Sequence, residues 1–286
     1  MAKYQIGTLI LDFIPLYDTY FQDNLEHYRT KDDTLADYTI RTEIKARLTK
    51  PTSPVRTVYS TRHIHKEGTK EIVCAYNNAG RLHLKTITDN AKGETLIEIE
   101  DTKDPKKNAE KEYVLTGMRF LEAALTHKML SLHASALEVD GEAIIFSAPS
   151  QTGKSTHARL WLRHIDKAAI INDDKPLLFE KDGQIMVTGS PWSGKDTLNT
   201  NKTVPLKAII FLDQDHTNTV SSLTKEEKLW HLMRNIHRPG DEMLWDHLFA
   251  LLEKIITRTP IHYYRCTKDK TAVSTLHNHL YGGKDL

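Results

Sequence analysis

The stretch Ala148-Pro-Ser-Gln-Thr-Gly-Lys-Ser-Thr156 holds the residue types that bind phosphate. It follows the pattern G-x-x-x-x-G-K-[ST], with Ala148 where the first glycine belongs and Gly153, Lys154 and Ser155 in their places. Gly153 lets the backbone turn tightly, so successive N–H groups face one anion, and the positive end of the following helix adds to that field. Ser150, Gln151, Thr152, Gly153, Lys154, Ser155 and Thr156 are therefore expected to line a nucleotide's phosphates. Lys154 is expected to reach the β- and γ-phosphates and Ser155 to ligate Mg2+. The plainer reading is a strand-to-helix turn with an exposed lysine. Against it, the apolar run Ala143-Ile-Ile-Phe-Ser precedes the loop and a helix-compatible segment follows.

Phosphoryl transfer also needs a metal anchor and a group that orients or deprotonates the acceptor. Asp173 and Asp174 follow the apolar segment Ala168-Ala-Ile-Ile, where a second strand beside such a loop would end. Two adjacent carboxylates there can divide the work, one holding metal and one facing a hydroxyl. Alone, the pair reads as a solvated loop or a cap for a turn opened by Pro176. His133 precedes the strand into the loop, and alone it reads as a packed histidine.

The elements that must position these residues fall into two regions of the 286-residue chain. The first hundred residues are β-rich, with strands expected at Gln5–Phe13, Tyr38–Ile44, Thr57–His65, Glu71–Tyr76, Arg81–Ile87 and Thr95–Glu100. Asn77-Asn-Ala-Gly reads as a hairpin turn, and the pattern suggests an antiparallel meander with one wet face. The polar stretch Asp101–Lys111 reads as a boundary, followed by an amphipathic helix through Val114, Met118, Leu121, Leu125 and Met129. The second region alternates strands and helices: a hairpin about Lys181-Asp182-Gly183, a strand at Leu206–Leu212, helices at 225–236 and 242–256, a strand at 261–265 and a final helix. The fold class is α/β (α+β), with a P-loop mixed sheet flanked by helices and a smaller β-rich N-terminal domain. The expected domains are 1–108 and 109–286, the catalytic core spanning 131–286.

Composition narrows the partners. Net charge is +1 and the basic residues are dispersed, so no duplex nucleic acid is expected. Asp12 and Pro15 interrupt the N-terminal apolar run, and no apolar stretch approaches the ~20 residues that span a bilayer. A soluble, cytoplasmic protein without a membrane partner is expected. Two distant cysteines, Cys74 and Cys266, demand no disulfide. His63 and His65 share one strand face without convergent ligands, and Arg238-Pro-Gly reads as a helix-joining turn.

Three segments together carry a resemblance: Ser131–Thr156, Ile171-Asn-Asp-Asp-Lys and Gly189-Ser-Pro-Trp-Ser-Gly-Lys. In this order they resemble the HPr kinase/phosphorylase family, over about residues 131–286, and within it the branch that includes lasso peptide kinases. The resemblance implies ATP and Mg2+, phosphorylation of a serine hydroxyl on a precursor peptide, and an oligomer. By the same resemblance Asp173 is the general base, Asp174 a metal ligand with Ser155, and His133 a residue near the transferred phosphate. The loop 189–195 matches the family's loop in position but not in wording. Lys195 is offered there as charge for the phosphates and Trp192 as a surface for substrate, against a hairpin with a solvated lysine. Gln151 stands where that family usually has glycine, which implies an adjusted loop or weaker nucleotide affinity.

The leading expectation is a kinase of a peptide serine, with the first region recognising the peptide, for instance by pairing with a strand edge. A small-molecule kinase acting on a hydroxy-amino acid, and a nucleotide-binding regulatory protein without phosphotransfer, remain open. So does phosphorolysis.

Overall fold

The computed structural model describes residues 2–31, 33–149, 153–194 and 198–282. The chain divides into two compact units, Met1–Ala123 and Ala124–Leu286.

The first unit is built on one sheet, in the order β1-β2-β3-β8-β7-β6-β5-β4. Its strands are β1 (Lys3–Ile6), β2 (Leu9–Phe13), β3 (Tyr38–Lys45), β4 (Val55–Tyr59), β5 (Arg62–Glu67), β6 (Lys70–Tyr76), β7 (Leu82–Asp89) and β8 (Glu94–Glu100). Two segments expected to be single strands are hairpins. Gly7, at φ 58°, turns Gln5–Phe13 into β1 and β2, and Ser60, at φ 55°, breaks Thr57–His65 between β4 and β5. The expected all-antiparallel meander is also corrected, because β2 pairs β3, and β3 pairs β8, in parallel. The long connection from β2 to β3, which includes α1 (Gln22–Glu26), makes a parallel return possible.

Helix α2 (Pro105–Thr126) starts inside the stretch expected to be a polar boundary, and the expected division at 108/109 falls in its first turn. Asp104 and Pro105 are the reason. The Asp104 carboxylate accepts from Lys106 N (3.1 Å) and Lys107 N (3.3 Å), and proline suits the first helical position. The Glu112 carboxylate of α2 then accepts from Leu16 N (2.9 Å) and Tyr17 N (3.0 Å), tying the helix to this unit.

The second unit is a mixed sheet between helices, as expected. Its elements are β9 (Met129–Ser131), β10 (Ala134–Val139), β11 (Glu142–Ser147), α3 (Lys154–His164), β12 (Ala169–Asp174), β13 (Leu177–Lys181), β14 (Gln184–Thr188), β15 (Thr203–Gln214), β16 (Thr219–Ser222), α4 (Lys225–Asn235), α5 (Met243–Arg258), β17 (Ile261–Cys266) and α6 (Lys270–Tyr281). Its apolar runs are continuous because both faces are covered. Ala143, Ile145, Ile209 and Phe211 pack with Leu232, Leu248 and Ile255 of α4 and α5. Ile144, Phe146, Ala208 and Ile210 pack on the other face with Trp161, Val273 and Leu276 of α3 and α6.

Strand β15 serves two ladders. Thr203–Pro205 pair with β14, while the residues from Leu206 onward run parallel to β11 and β17, with a register shift at Lys207. Cys74 and Cys266 are buried and unbridged. Among the described residues no helix is long and apolar enough to cross a membrane.

Candidate active site

Register brings the candidate residues together. β10 runs antiparallel to both neighbours, so its first residue, Ala134, lies opposite Ser147 at the end of β11 and Asp174 at the end of β12. The next residue, Ser135, lies opposite Asp173. His133, immediately before β10, is thus set between the loop that leaves β11 and the two carboxylates. Its backbone is fixed: His133 N donates to Asn235 O (2.7 Å) at the end of α4, and its carbonyl accepts from Ser147 Oγ (3.0 Å).

The loop keeps the geometry its residues imply. Gly153 has φ 104°, a conformation closed to ordinary L-residues, and it begins α3 without a side-chain cap. The helix's first N–H groups are left facing outward, the arrangement that receives an anion. Ala148 is buried and is not among the residues with positive φ, so alanine fits in place of glycine there. Ser150, Gln151 and Thr152 lie outside the described residues, as does Lys195. Thr156 and Gly153 border a narrow crevice with His157, Asp213, Gln214 and Lys268.

Around the loop the polar side chains form two linked sets. Lys154 Nζ donates to Ala148 O (2.9 Å) and lies 3.1 Å from His133 Nε2, whose other nitrogen, Nδ1, is 2.9 Å from Asp174 Oδ1. An ammonium has no acceptor and a carboxylate no donor, so these contacts run Lys154 to His133 to Asp174, with the imidazole neutral and carrying its proton on Nδ1. Lys175 Nζ donates to the other Asp174 oxygen. In the second set, Asp173 Oδ1 accepts from Ser135 Oγ and from Ser155 Oγ (3.1 Å).

The electrostatics follow from that geometry. Burial draws the Lys154 pKa down against the pull of Asp174 and Asp173. Burial also raises Asp174, but the hydrogen bond from His133 and the nearby Lys175 ammonium outweigh it and hold that carboxyl below the usual range.

Two of the expected residues have surroundings the sequence did not indicate. Ser155 meets Asp173, not Asp174, because Ser135 and the β10–β12 register turn Asp173 toward the loop. Trp192 is buried at 1% exposure, so it is a packing residue of its loop and presents no surface to substrate. Its neighbour Gly194 has φ 79°, and a Cβ there would lie 3.3 Å from the Asp174 Cβ.

Three supporting residues had no assigned role. Asn172 is fully buried; its side-chain Oδ1 accepts from Asp174 N (3.0 Å) and Lys175 N (2.7 Å), and its Nδ2 donates to Ser190 O (2.8 Å). Ser135 shares Asp173, and Lys175 holds Asp174. Among the described residues no group of three or more His, Cys, Asp or Glu side chains forms a metal cluster.

No curated protein matches the chain. A solved structure, that of the Hpr(Ser) kinase/phosphatase from Coxiella burnetii, is similar at 14% identity over 52% of this chain and 95% of that one, with a TM-score of 0.32. A likeness of that size assigns neither fold nor reaction. The family described as "SynChlorMet cassette protein ScmC" matches residues 96–247, more than half the chain, and that span contains His133, the phosphate loop and Asp173–Asp174. The chain belongs to the SynChlorMet cassette protein ScmC family.

Proposed function

We propose that the second unit is a kinase that transfers the γ-phosphoryl group of ATP to a hydroxyl, and that the acceptor is a serine of a peptide, as in the HPr-kinase-like branch. The observation that carries the reading is the convergence of Lys154 and Ser155 with His133, Asp173 and Asp174 at the ends of three paired strands. A turn with an accidental lysine would not bring a histidine and two carboxylates to it.

Mg2+ takes oxygen ligands, commonly one or two carboxylates with phosphate and water, and Ser155 Oγ and Asp173 fit that donor set. Held there, the ion would supply neutralisation of phosphate charge. The remaining roles belong to side chains. Lys154 exchanges His133 for a phosphate oxygen and stabilises the charge that shifts as the γ-group departs. That exchange uncovers the Nε2 lone pair of His133, which Asp174 orients from the opposite side of the ring. His133 Nε2 then accepts the serine proton as the hydroxyl oxygen bonds to the γ-phosphorus and the bond to the ADP oxygen breaks. This reading exchanges the roles implied by the resemblance: Asp173 serves the metal side and Asp174 the base.

The test is mass spectrometry of serine-containing peptides after incubation with Mg-ATP. The expected result is a phosphate gain, lost by about 10²–10³ in rate in Lys154→Ala and comparably in His133→Asn. Asp173→Asn should raise the Mg2+ concentration needed for half-maximal rate more than Asp174→Asn does. Phosphate gained by a free hydroxy-amino acid and by no peptide would replace the substrate; ATP binding with no acceptor phosphorylated would replace the kinase by a regulatory protein.

A further inference from the structure

Strand β4 ends the sheet of the first unit, and all its residues are exposed. The other end of that sheet is closed. Gln5 N donates to Tyr28 O (2.7 Å), Thr30 N donates to Lys3 O (2.9 Å), and Tyr4 bridges Arg29 across the outer side of β1. β4 has β5 on one side, and among the described residues nothing hydrogen-bonds its other side. Tyr59 and Arg62 face each other across the two-residue turn, so the N–H and C=O of Val58 point away from β5.

An open edge with apolar side chains is a liability that proteins usually blunt. Here Val55 is 45%, Val58 60% and Tyr59 72% exposed. The register shift between Val55 and Thr57 leaves Thr57–Tyr59 as regular strand. The hairpin 55–65 contains Arg56, Arg62, His63 and His65 and no carboxylate. Lys50, Arg56 and Arg62 form no ion pair among the described residues. Two copies meeting edge to edge would oppose like charges, which destabilises strand pairing. The same charges favour an acidic partner.

Inward of this edge, over β5 and the end of β6, is an open groove of about 660 Å³ lined by Lys50, Val55, His63, His65, Tyr76 and Asn77. His63 and His65 face the same side of β5. The His63 ring lies 4.6 Å from that of Tyr76, and Lys50 Nζ stands 5.5 Å over the Tyr76 ring. His65 is only 5% exposed; its Nδ1 donates to Ser53 O (2.8 Å), while its Nε2 has no hydrogen-bond partner.

The geometry points to β4 as a docking edge for an extended, acidic polypeptide segment, which adds to the sheet as a further strand and sets carboxylates beside the basic β4–β5 hairpin, Arg56 first and Arg62 at its turn. Backbone pairing supplies affinity, and the basic hairpin selects the side chains. The inference stands on the first unit and does not depend on the kinase reading.

The experiment uses the full chain and three fluorescein-labelled peptides: one alternating Glu with Val and Thr, one with Lys for Glu, and one acidic but interrupted by proline. Fluorescence anisotropy should show the first binding at least about tenfold tighter than the others. Hydrogen exchange should slow at residues 55–59 on binding. Val58→Pro removes the outward N–H at a place where an edge strand tolerates proline, and should weaken binding about tenfold. Arg56→Glu with Arg62→Glu, which leaves the backbone intact, should reverse the preference toward the Lys peptide and decides the matter if the proline variant does not fold. Absence of binding by the Glu peptide, equal binding of the Glu and Lys peptides, or unchanged exchange at 55–59 overturns the proposal. So does self-association that the Arg56/Arg62 double variant alters in sedimentation.

Discussion

Gly194 and Asn172 both lie against the Asp173–Asp174 segment, and neither touches the groups proposed to react. Gly194→Ala would force a Cβ into a left-handed backbone 3.3 Å from Asp174. The expected outcome is about 1–2 kcal/mol lost in urea unfolding and a lower kcat, because Asp174 must shift away from His133. Asn172→Ala would orphan two half-buried backbone N–H groups. It should cost roughly 2–4 kcal/mol by the same measurement. The two residues differ in how far the sequence revealed them. Gly153, Lys154, Ser155 and the aspartate pair are visible because their chemistry is local in the chain. Asn172 stands in the same string, but its partner Ser190 belongs to a later loop. Ser135 meets Asp173 through a strand pairing that no local pattern encodes.

At the scale of elements, caps and buried ionisable groups set the sensitivities. Asp104→Ala removes the acceptor for two N–H groups in the first turn of α2 and should destabilise the chain by about 1 kcal/mol, read from the shift of the urea midpoint. That cap was legible as Asp-Pro, and the surrounding lysines concealed it by giving the segment the composition of a linker. His157, on the first turn of α3, accepts from Trp161 Nε1 (3.2 Å), and burial draws its pKa down from 6.5 to about 4. The unfolded chain therefore binds the extra proton between those pH values. Stability is fully present above pH 6.5 and falls as pH drops toward 4, by about 3 kcal/mol in all. His157→Gln keeps an acceptor for Trp161 without titrating, so its unfolding free energy should vary less over that window. Strand positions were legible from apolar runs, but the breaks at Gly7 and Ser60 were not. Ser60 lies in a segment whose β-branched neighbours read as uninterrupted strand.

For the whole molecule, sequence pattern distinguished a β-rich part from an α/β part, because one alternates and the other has continuous apolar runs. It did not reveal which strands pair, and so missed the parallel contacts of β3. All residues of the proposed kinase site lie in the second unit. Mg-ATP should accordingly slow hydrogen exchange at residues 133–135, 153–157 and 172–174, and a pattern that spares all three segments would separate nucleotide binding from this site. Strand β15 has a further effect on that unit. One continuous backbone carries the ladder through β14 on Thr203–Pro205 and the ladders through β11 and β17 from Leu206 onward, so the two wings are joined along a single unbroken strand. The catalytic wing and the β13–β14 hairpin thus share one unfolding event, and the slowest-exchanging amides of β11 and β14 should report the same opening free energy.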